Sequence, residues 1–327
     1  MFPRTFRSHD FSTLCTPVAN ATLWHLFVPK IYSMKKASLL LLCILSIAFI
    51  FRNDIGSVFT KGKAQKIAEI SLDQQSDAPL ADSKEIEIVK RWELPSVLLE
   101  VSGIASLDED RIACLQDEEG IIYIFNKETG NIEKEIPFAD PGDFEGLTLS
   151  GNTAFAVRSD GVIYEIDLTS GKSKRYETHL TKKNNIEGIA LDAANNRLLL
   201  AGKDGDENYP GYKCIYTFDL NSKTLLKEPA FKISDENALL KNGKKIKALK
   251  PSDIAIHPQT LDIFIADGPS SRLLQLSNAG EIKKNYTLGK AFEQPEGITC
   301  SASGSLYLSN EGSKKKPGNI IEIRLPE

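Results

Sequence analysis

Short apolar strands separated by polar turns repeat along most of this chain. Five times a turn rich in Ser, Glu or Asp leads into a small apolar strand: VSGIA at Val101, FEGLT at Phe144, IEGIA at Ile186, PSDIA at Pro251 and PEGIT at Pro295. Equivalent positions from Gly103 to Gly297 follow one another at spacings of 43, 42, 65 and 44 residues. A period near forty with several short strands in each unit is typical of β-propeller blades.

Each unit continues as a series of strands and turns. The alternation of apolar and polar residues predicts a second and a third strand, and a fourth, outer strand follows in the first four units. The fifth unit ends at Glu327 without one, whereas a strand-like stretch, EIEIVKRWEL from Glu85, precedes the first unit. We expect this stretch to complete the last blade and to leave no free sheet edge. The predicted fold class is therefore all-β, a five-bladed propeller over residues 84–327, and six blades are the alternative if the long third unit contains an extra one.

The region before the propeller has a different pattern. The sequence MKK at Met34 precedes an uninterrupted apolar run of 15 residues, from Ala37 to Phe51. A positive start followed by such a run predicts a signal peptide or a signal anchor over residues 34–55, and the absence of a small-residue cleavage site favours the anchor. Residues 1–33 are an unusual leader for such a segment, which suggests that translation starts at Met34.

Composition extends this interpretation. Residues 56–83 are rich in Gln, Ser, Asp, Lys and Ala, and we expect them to form a flexible tether between a membrane anchor and the propeller. This organisation predicts a protein of the cell envelope, anchored in the cytoplasmic membrane with its propeller in the periplasm. The net charge is −4 for the whole chain. No basic stripe with interleaved aromatic residues is present, so nucleic acid is not a predicted partner.

Candidate chemistry is concentrated in the turns that enter the first strand of each unit. The first strands of a propeller line its central channel, so these turns converge near one opening. The turn residues are Ser102, Glu145, Glu187, Ser252 with Asp253, and Glu296. Carboxylates directed at one opening repel one another unless a cation lies among them, and calcium suits a roomy, irregular set of oxygen ligands better than magnesium does. The alternative is that each Glu caps its own strand entry and faces water.

A further set of polar residues follows the second strand of each unit, and Glu311 in LSNEG is the most suggestive of them. The predicted metal ligands are therefore Glu145, Glu187, Asp253, Glu296 and Glu311. No catalytic residue is predicted. The sequence has no GxSxG, CxxC or HExxH motif and no glycine-rich phosphate loop, which argues against serine–histidine or zinc hydrolysis.

The order of the motifs resembles the SdiA-regulated domain family of bacterial envelope proteins. The residues that carry the resemblance include DFEGL at Asp143, NIEGIALD at Asn185, KPSDIAIHP at Lys250 and QPEGITC at Gln294. The resemblance implies a five-bladed propeller distantly related to NHL repeats, an N-terminal signal or anchor and a shared calcium site, but it implies no activity. The first unit departs from the acidic pattern, because Ser102 offers a hydroxyl in place of a carboxylate.

Three functions fit these observations. The leading hypothesis is a non-enzymatic, calcium-stabilised propeller that binds a protein or glycan partner. The rival is a calcium-dependent hydrolase of phosphoesters or lactones, similar to phytase-like or gluconolactonase-like propellers. It would use Lys203 and the basic run that ends at Lys250, and only Arg158 and Arg272 are arginines near the acidic turns. In the third, a metal joins the blades and nothing binds beyond it.

Overall fold

The described part of the chain folds almost entirely into β-strands joined by short turns. The computed structural model describes residues 68–70, 86–234, 240–241, 244–245 and 248–326. The strands, in chain order, are β1 (Ala68–Ile70), β2 (Glu87–Glu93), β3 (Val101–Ser106), β4 (Arg111–Gln116), β5 (Ile121–Asn126), β6 (Asn131–Pro137), β7 (Phe144–Ser150), β8 (Thr153–Arg158), β9 (Ile163–Asp167), β10 (Ser173–Tyr176), β11 (Ile186–Asp192), β12 (Arg197–Gly202), β13 (Tyr212–Asp219), β14 (Thr224–Leu225), β15 (Phe231–Ser234), β16 (Leu240–Lys241), β17 (Lys244–Lys245), β18 (Pro251–Ile256), β19 (Ile263–Asp267), β20 (Arg272–Leu276), β21 (Ile282–Thr287), β22 (Pro295–Cys300), β23 (Leu306–Asn310) and β24 (Asn319–Arg324). Three single-turn 3₁₀ helices accompany them, at Ser96–Leu98, Ala193–Asn195 and Gly268–Ser270.

Five sheets form the blades of a propeller. Blade 1 is β3 to β6, blade 2 is β7 to β10, blade 4 is β18 to β21, and blade 5 is β22, β23, β24 and β2. Blade 3 contains β11, β12, β13 and β15, and it is extended by β14 and by β1, which lies parallel to β15. The long third unit therefore contains added short strands and the β16–β17 hairpin rather than a sixth blade. Five blades, the first prediction from the repeat, are confirmed.

The N-terminal part of the chain extends beyond what the structure describes. The leader (1–33) and the signal or anchor segment (34–55) lie outside the described residues, as does most of the tether (56–83). No helix among the described residues is long and apolar enough to cross a membrane.

The outer strand of blade 5 comes from the N-terminal side of blade 1. Strand β2 pairs antiparallel with β24, so that Glu87 lies opposite Arg324 and Glu93 lies opposite Asn319. The indole nitrogen of Trp92 donates a hydrogen bond to the backbone oxygen of Lys127 at 2.8 Å. The Lys127 ammonium donates to the Tyr307 hydroxyl at 3.0 Å and lies 4.4 Å from the centre of that ring. These contacts join β2 to blades 1 and 5.

The hydrophobic core consists of five clusters, one at each interface between neighbouring blades. Phe144 and Tyr164 of blade 2, for example, pack with Phe138 of blade 1 at ring-centre distances between 5.1 and 5.7 Å. Corresponding clusters fill the other four interfaces. Among the described cysteines, Cys114 and Cys214 lie in these clusters as buried free thiols, and Cys300 is a half-buried free thiol.

Each inner strand begins with a shift in register against the second strand of its blade. The shift falls between Val101 and Gly103, Phe144 and Gly146, Ile186 and Gly188, Pro251 and Asp253, and Pro295 and Ile298. A β-bulge leaves one residue out of the ladder and turns its side chain away from the ordinary alternation. The residues at these five bulges are Ser102, Glu145, Glu187, Ser252, and Glu296 with Gly297.

The residue after the bulge packs against the backbone of the next inner strand. A β-carbon at Gly188 would lie 2.7 Å from the Asp253 α-carbon and 2.8 Å from the Ile254 nitrogen. One at Gly103 would lie 2.8 Å from the Leu147 nitrogen, and one at Gly146 would lie 3.0 Å from the Ile189 nitrogen. Glycine at these positions therefore allows the inner strands to approach one another closely.

Blade 4 has Asp253 where the other blades have glycine. Its side chain is completely buried, and its two oxygens accept hydrogen bonds from the backbone nitrogens of Ile254 and Ile298, each at 2.8 Å. Burial raises the pKa of Asp253 well above its ordinary value, and hydrogen bonds from the Ile298, Ile254 and Ile189 amides act in the opposite direction. Because these amides belong to β22, β18 and β11, the carboxylate joins three neighbouring blades.

Gly188→Ala is expected to lower the free energy of unfolding by about 3 kcal/mol, because the new methyl group meets backbone that cannot move independently. Gly289→Ala is the matched control, since no described atom lies within 4 Å of a β-carbon there. Urea denaturation followed by fluorescence measures both. Equal midpoints for the two variants would contradict the close approach of β11 and β18.

Asp253→Asn is expected to lower the free energy of unfolding by about 2 kcal/mol, because the amide NH₂ would face a backbone N–H in place of an accepting oxygen. Asp140→Asn, at an exposed position, is the control and should leave stability unchanged. Thermal melting measures both effects. A melting temperature for Asp253→Asn equal to that of the wild type would refute the bridging role of this carboxylate.

Candidate functional site

The two sets of turn residues lie at the same end of the blades. The antiparallel register pairs the start of each inner strand with the end of the second strand: Phe144 lies opposite Arg158, Ile186 opposite Gly202, and Pro295 opposite Asn310. The bulge residues therefore lie next to the residues that follow the second strands. We call this end of the channel the acidic mouth and define it by Asp117, Glu145, Glu187, Lys203, Glu296 and Glu311.

Lys203 is the cation of the acidic mouth. Its ammonium lies 3.1 Å from Oε2 of Glu187, which is 7% exposed, and Lys203 itself is only partly exposed. The charge of the same ammonium opposes the rise in pKa that burial causes at Glu145 and Glu296, so Lys203 acts on carboxyl groups from blades 2, 3 and 5. The register places Lys203 directly after β12, the position that Asp117 occupies after β4 and Glu311 after β23.

If all three glutamates at the bulges were ionised, they would carry more negative charge than Lys203 neutralises. Burial, followed by repulsion from Glu187 and Asp143, raises the pKa of Glu145 from 4.5 to about 9. Burial raises the pKa of Glu296 to about 7, with Glu311 and Glu187 adding to the effect. Burial also raises the pKa of Glu187, although the Lys203 ammonium opposes the shift.

Asp117 and Glu311 extend the negative charge towards blades 1 and 5. Burial, with repulsion from Glu100 and Glu118, raises the pKa of Asp117 to about 6. Its Oδ1 atom is buried and has no hydrogen-bond partner in the described part of the chain. Glu311 accepts a hydrogen bond from Nε2 of Gln294 at 2.9 Å, and its pKa is raised by burial and by the Asp117 carboxylate.

The remaining predicted positions, Ser102, Ser252 and Asp253, are buried. Ser252, not Asp253, occupies the bulge of blade 4, and its hydroxyl donates to the backbone oxygen of Pro295 at 2.8 Å. The Ser102 hydroxyl in blade 1 lies 3.4 Å from the backbone oxygen of Leu115. The structure thus brings Glu145, Glu187, Glu296 and Glu311 into one electrostatic group, and it gives Asp253 a role between the strands instead.

The oxygen donors of the acidic mouth are suited to bind a hard cation. The mouth contains five carboxyl groups and one lysine, and a buried Asp117 oxygen has no partner among the described residues. Carboxylate oxygens are ligands that calcium prefers. As placed around Lys203, no three His, Cys, Asp or Glu side chains of the described residues are already grouped closely enough to hold a metal ion. A metal ion at the mouth would require these side chains to rearrange.

Sequence reasoning missed the roles of Lys203 and Asp253. The sequence shows only that Lys203 follows Gly202. The pairing of β11 with β12 is what places it in the acidic mouth. Counting from the end of the second strand, as for Asp117 and Glu311, would have found it. In blade 4 the repeat already places Asp253 at the glycine position, but the prediction grouped it with the glutamates as a ligand, and its hydrogen bonds to backbone amides were not foreseen.

Solved structures of low sequence identity are similar to this chain. The glutaminyl cyclase of Myxococcus xanthus is 12% identical, with a TM-score of 0.51 over 73% of this chain and 95% of that chain. The PQQ-bound aldose sugar dehydrogenase of Streptomyces coelicolor is 13% identical, with a TM-score of 0.47 over 73% of this chain and 98% of that chain. The first similarity supports the propeller fold alone. A comparison with curated proteins finds no significant match.

A family comparison identifies the chain more closely. The family model described as SdiA-regulated matches residues 76–314, which include all five inner strands and every residue of the acidic mouth. The match extends over well more than half of the chain. The protein therefore belongs to the SdiA-regulated family.

Proposed function

We propose that this protein is a calcium-binding propeller that displays its acidic mouth to a protein or glycan partner in the periplasm. The calcium ligands would be Glu145, Glu187 and Glu296, with Glu311 at the edge of the set. Asp253 is not included, because both of its oxygens accept backbone hydrogen bonds. Residues 34–55 would anchor the protein in the cytoplasmic membrane, a proposal that rests on their apolar sequence.

The observation that supports calcium binding is the group of buried carboxyls at equivalent positions of three blades, which is more than one lysine can neutralise when they are ionised. Glu145, Glu187 and Glu296 occupy the bulges of β7, β11 and β22, where the ladder directs them to the mouth. Burying carboxylates without full compensation costs free energy, and the raised pKa values of all three express that cost. A divalent cation would relieve it more fully than one lysine does.

Calcium supplies charge neutralisation and a link between blades in this proposal. The chain supplies carboxylates that can bind through one or both oxygens, and calcium tolerates such irregular sets. Lys203 supplies the competing charge: its ammonium stabilises the metal-free mouth and would leave when the ion enters. The acidic mouth would then present a neutralised, ordered surface to a partner.

Binding is better supported than hydrolysis. A phosphoester hydrolase would need cations that are available for the substrate's phosphate. Each of the three candidates already has a carboxylate partner: Lys203 pairs with Glu187, Arg158 with Asp160, and Arg272 with Asp267. Lys250, at the end of the basic run, lies 3.6 Å from Asp204.

Isothermal titration of the chelated protein with calcium is expected to show that two variants change the calcium affinity in opposite directions. Glu145→Gln removes a ligand and should weaken binding about tenfold or more. Lys203→Gln removes the competing positive charge and should strengthen binding by about tenfold. Glu128→Gln and Lys172→Gln, both exposed and in turns after the third strands, are the matched controls.

The opposite signs distinguish a site at the mouth from weak attraction of calcium to an acidic surface. Binding at the mouth requires that both controls match the wild type. Lack of heat with the wild type, or equal affinities for all four variants, would reject the calcium proposal.

The metal-free protein is expected to lose stability as pH rises from about 5 to about 8. The pKa values of Glu145 (about 9) and Glu296 (about 7) lie above their ordinary value of 4.5. The folded protein therefore holds protons that the unfolded chain has released, and its free energy of unfolding falls through this range. With allowance for partial exposure, the fall is on the order of 2 kcal/mol. Melting curves measure it, and saturating calcium should reduce it because the ion replaces the protons.

The double variant Glu145→Gln with Glu296→Gln should show a flatter dependence on pH than Glu128→Gln does. A double variant with the same pH dependence as the wild type would assign the effect to other groups.

A further inference from the structure

The end of the central channel opposite the acidic mouth opens into a pocket. Each inner strand begins at the mouth, and the second half of each one lines the pocket, together with the loops that follow β11, β18 and β22. The pocket has a volume of about 300 Å³. Sites for small ligands run from roughly 300 to about 1,000 Å³, so this pocket is suited to a compact molecule.

The Asp253 carboxylate separates this pocket from the acidic mouth. It accepts hydrogen bonds from the amides of Ile254 and Ile298, and both of these residues line the pocket. Asp253 itself is completely buried. None of the residues that define the acidic mouth lines the pocket, so the two ends of the channel are distinct.

The side chains around the pocket are mostly apolar and uncharged. Most of them are Ala, Ile or Leu, and Asp192 is the one charged residue among the described residues of the wall. Its carboxylate already accepts from Nε of Arg197 at 2.8 Å. Burial raises the pKa of the Cys300 thiol to about 12, so this wall residue is uncharged at neutral pH. A charged ligand would lose its hydration here without gaining an ion pair.

Two threonines show which backbone amides point into the channel. Oγ1 of Thr148 in blade 2 accepts from the amide of Leu191 in blade 3 at 3.2 Å. Oγ1 of Thr299 in blade 5 accepts from the amide of Ser106 in blade 1 at 3.1 Å. In both cases a hydroxyl satisfies a donor on the inner edge of the following inner strand.

The equivalent amides of the other three blades also point into the channel. They belong to Leu149, Ile256 and Cys300, which occupy the same step of their ladders. In blade 4 the next amide along the strand, that of His257, donates to the backbone oxygen of Asp262 in the same hairpin at 2.8 Å. Successive amides of an antiparallel strand point to opposite edges, so the Ile256 amide faces away from the ladder.

Alanine stands opposite each of these three amides, where threonine stands opposite the other two. The residues are Ala105, Ala190 and Ala255. A methyl group offers no acceptor, and in the described part of the chain the three amides have no hydrogen-bond partner. The residues that carry these amides line the pocket and are half-buried. The pocket therefore combines an apolar wall with backbone donors that lack an acceptor.

We propose that this pocket binds a small uncharged molecule that has an apolar body and a carbonyl group. The carbonyl oxygen would accept from one of the three amides, and the body would contact the Ala, Ile and Leu side chains of the wall. A pure hydrocarbon would leave the donors without a partner. An anion would satisfy them, but the described wall contains no cation that offsets the loss of its hydration.

This inference goes beyond the calcium proposal and does not depend on it. Binding can be measured on the chelated protein and repeated with calcium. Glu145→Gln removes a proposed calcium ligand at the other end of the channel and should leave binding in the pocket unchanged. The two proposals therefore fail separately.

The test is calorimetry on the full-length chain with three compounds that share a cyclohexyl body: cyclohexanecarboxamide, cyclohexanecarboxylate and cyclohexylmethylammonium. The first is uncharged and has a carbonyl oxygen, the second is an anion, and the third is a cation without an acceptor. The carboxamide is expected to bind, and each ion is expected to bind at least about tenfold more weakly. Lack of carboxamide binding overturns the proposal, and so does equal binding of either ion.

Threonine variants test the contact with the amides. Ala105→Thr, Ala190→Thr and Ala255→Thr each place a hydroxyl opposite one of the three amides, and the corresponding Val variants add the same volume without an acceptor. At the amide that the ligand uses, the Thr variant is expected to bind the carboxamide at least about tenfold more weakly than the Val variant. If no Thr variant binds more weakly than its Val counterpart, the contact with the amides is refuted.

Leu261→Ala locates the site without changing a core residue. Leu261 lines the pocket and is 38% exposed, and the loss of its side chain should weaken carboxamide binding by about threefold. Leu226→Ala is the matched control, because Leu226 is 41% exposed and does not line the pocket. Equal affinities of the two variants would place the binding elsewhere and overturn the proposal.

Discussion

A β-carbon at Gly103, Gly146 or Gly188 would collide with the backbone of the next inner strand, and that contact governs how the blades can be arranged. The inner strands touch in a closed ring, β3 with β7, β7 with β11, β11 with β18, β18 with β22, and β22 with β3. Because the contact is between backbones, it fixes where each strand begins. In blade 4 the corresponding contact with the next inner strand is a hydrogen bond, because the Asp253 carboxylate accepts from the Ile298 amide as well as from the amide of Ile254.

The electrostatics of the mouth follow from that geometry. Each bulge lies immediately before the close contact, so the side chain at the bulge is forced out of the ladder and towards the opening. Glutamates at three of the five bulges are thereby held near one another although their charges repel. The serines in blades 1 and 4 reduce the total charge, because their hydroxyls bond to the backbone instead. A fully acidic ring would have been harder to bury around a single lysine.

Much of this arrangement could be predicted from the sequence, because the repeat expresses a backbone requirement. The EG pair in FEGLT, IEGIA and PEGIT combines a bulge residue with the glycine of the close contact, and its spacing of about forty residues determines the number of blades. Two features could not be predicted. The repeat spacing places Asp253 at the glycine position, but only the structure shows that its carboxylate accepts hydrogen bonds from backbone amides and does not belong to the mouth. Lys203 belongs to the site through strand register, which an isolated motif does not reveal.

The pairing of β2 with β24 also has a consequence for the order in which the protein is made. Arg324 bonds to Glu87 across 237 residues, so the outer strand of blade 5 is synthesised long before its partner β24, which is the last strand to be made. Closing a chain segment of that length costs on the order of 5 kcal/mol of entropy. Blades 1 to 4 can form during synthesis, whereas β2 remains an exposed strand until then. A nascent or truncated chain without β24 would therefore present an open sheet edge to chaperones and to other copies of itself.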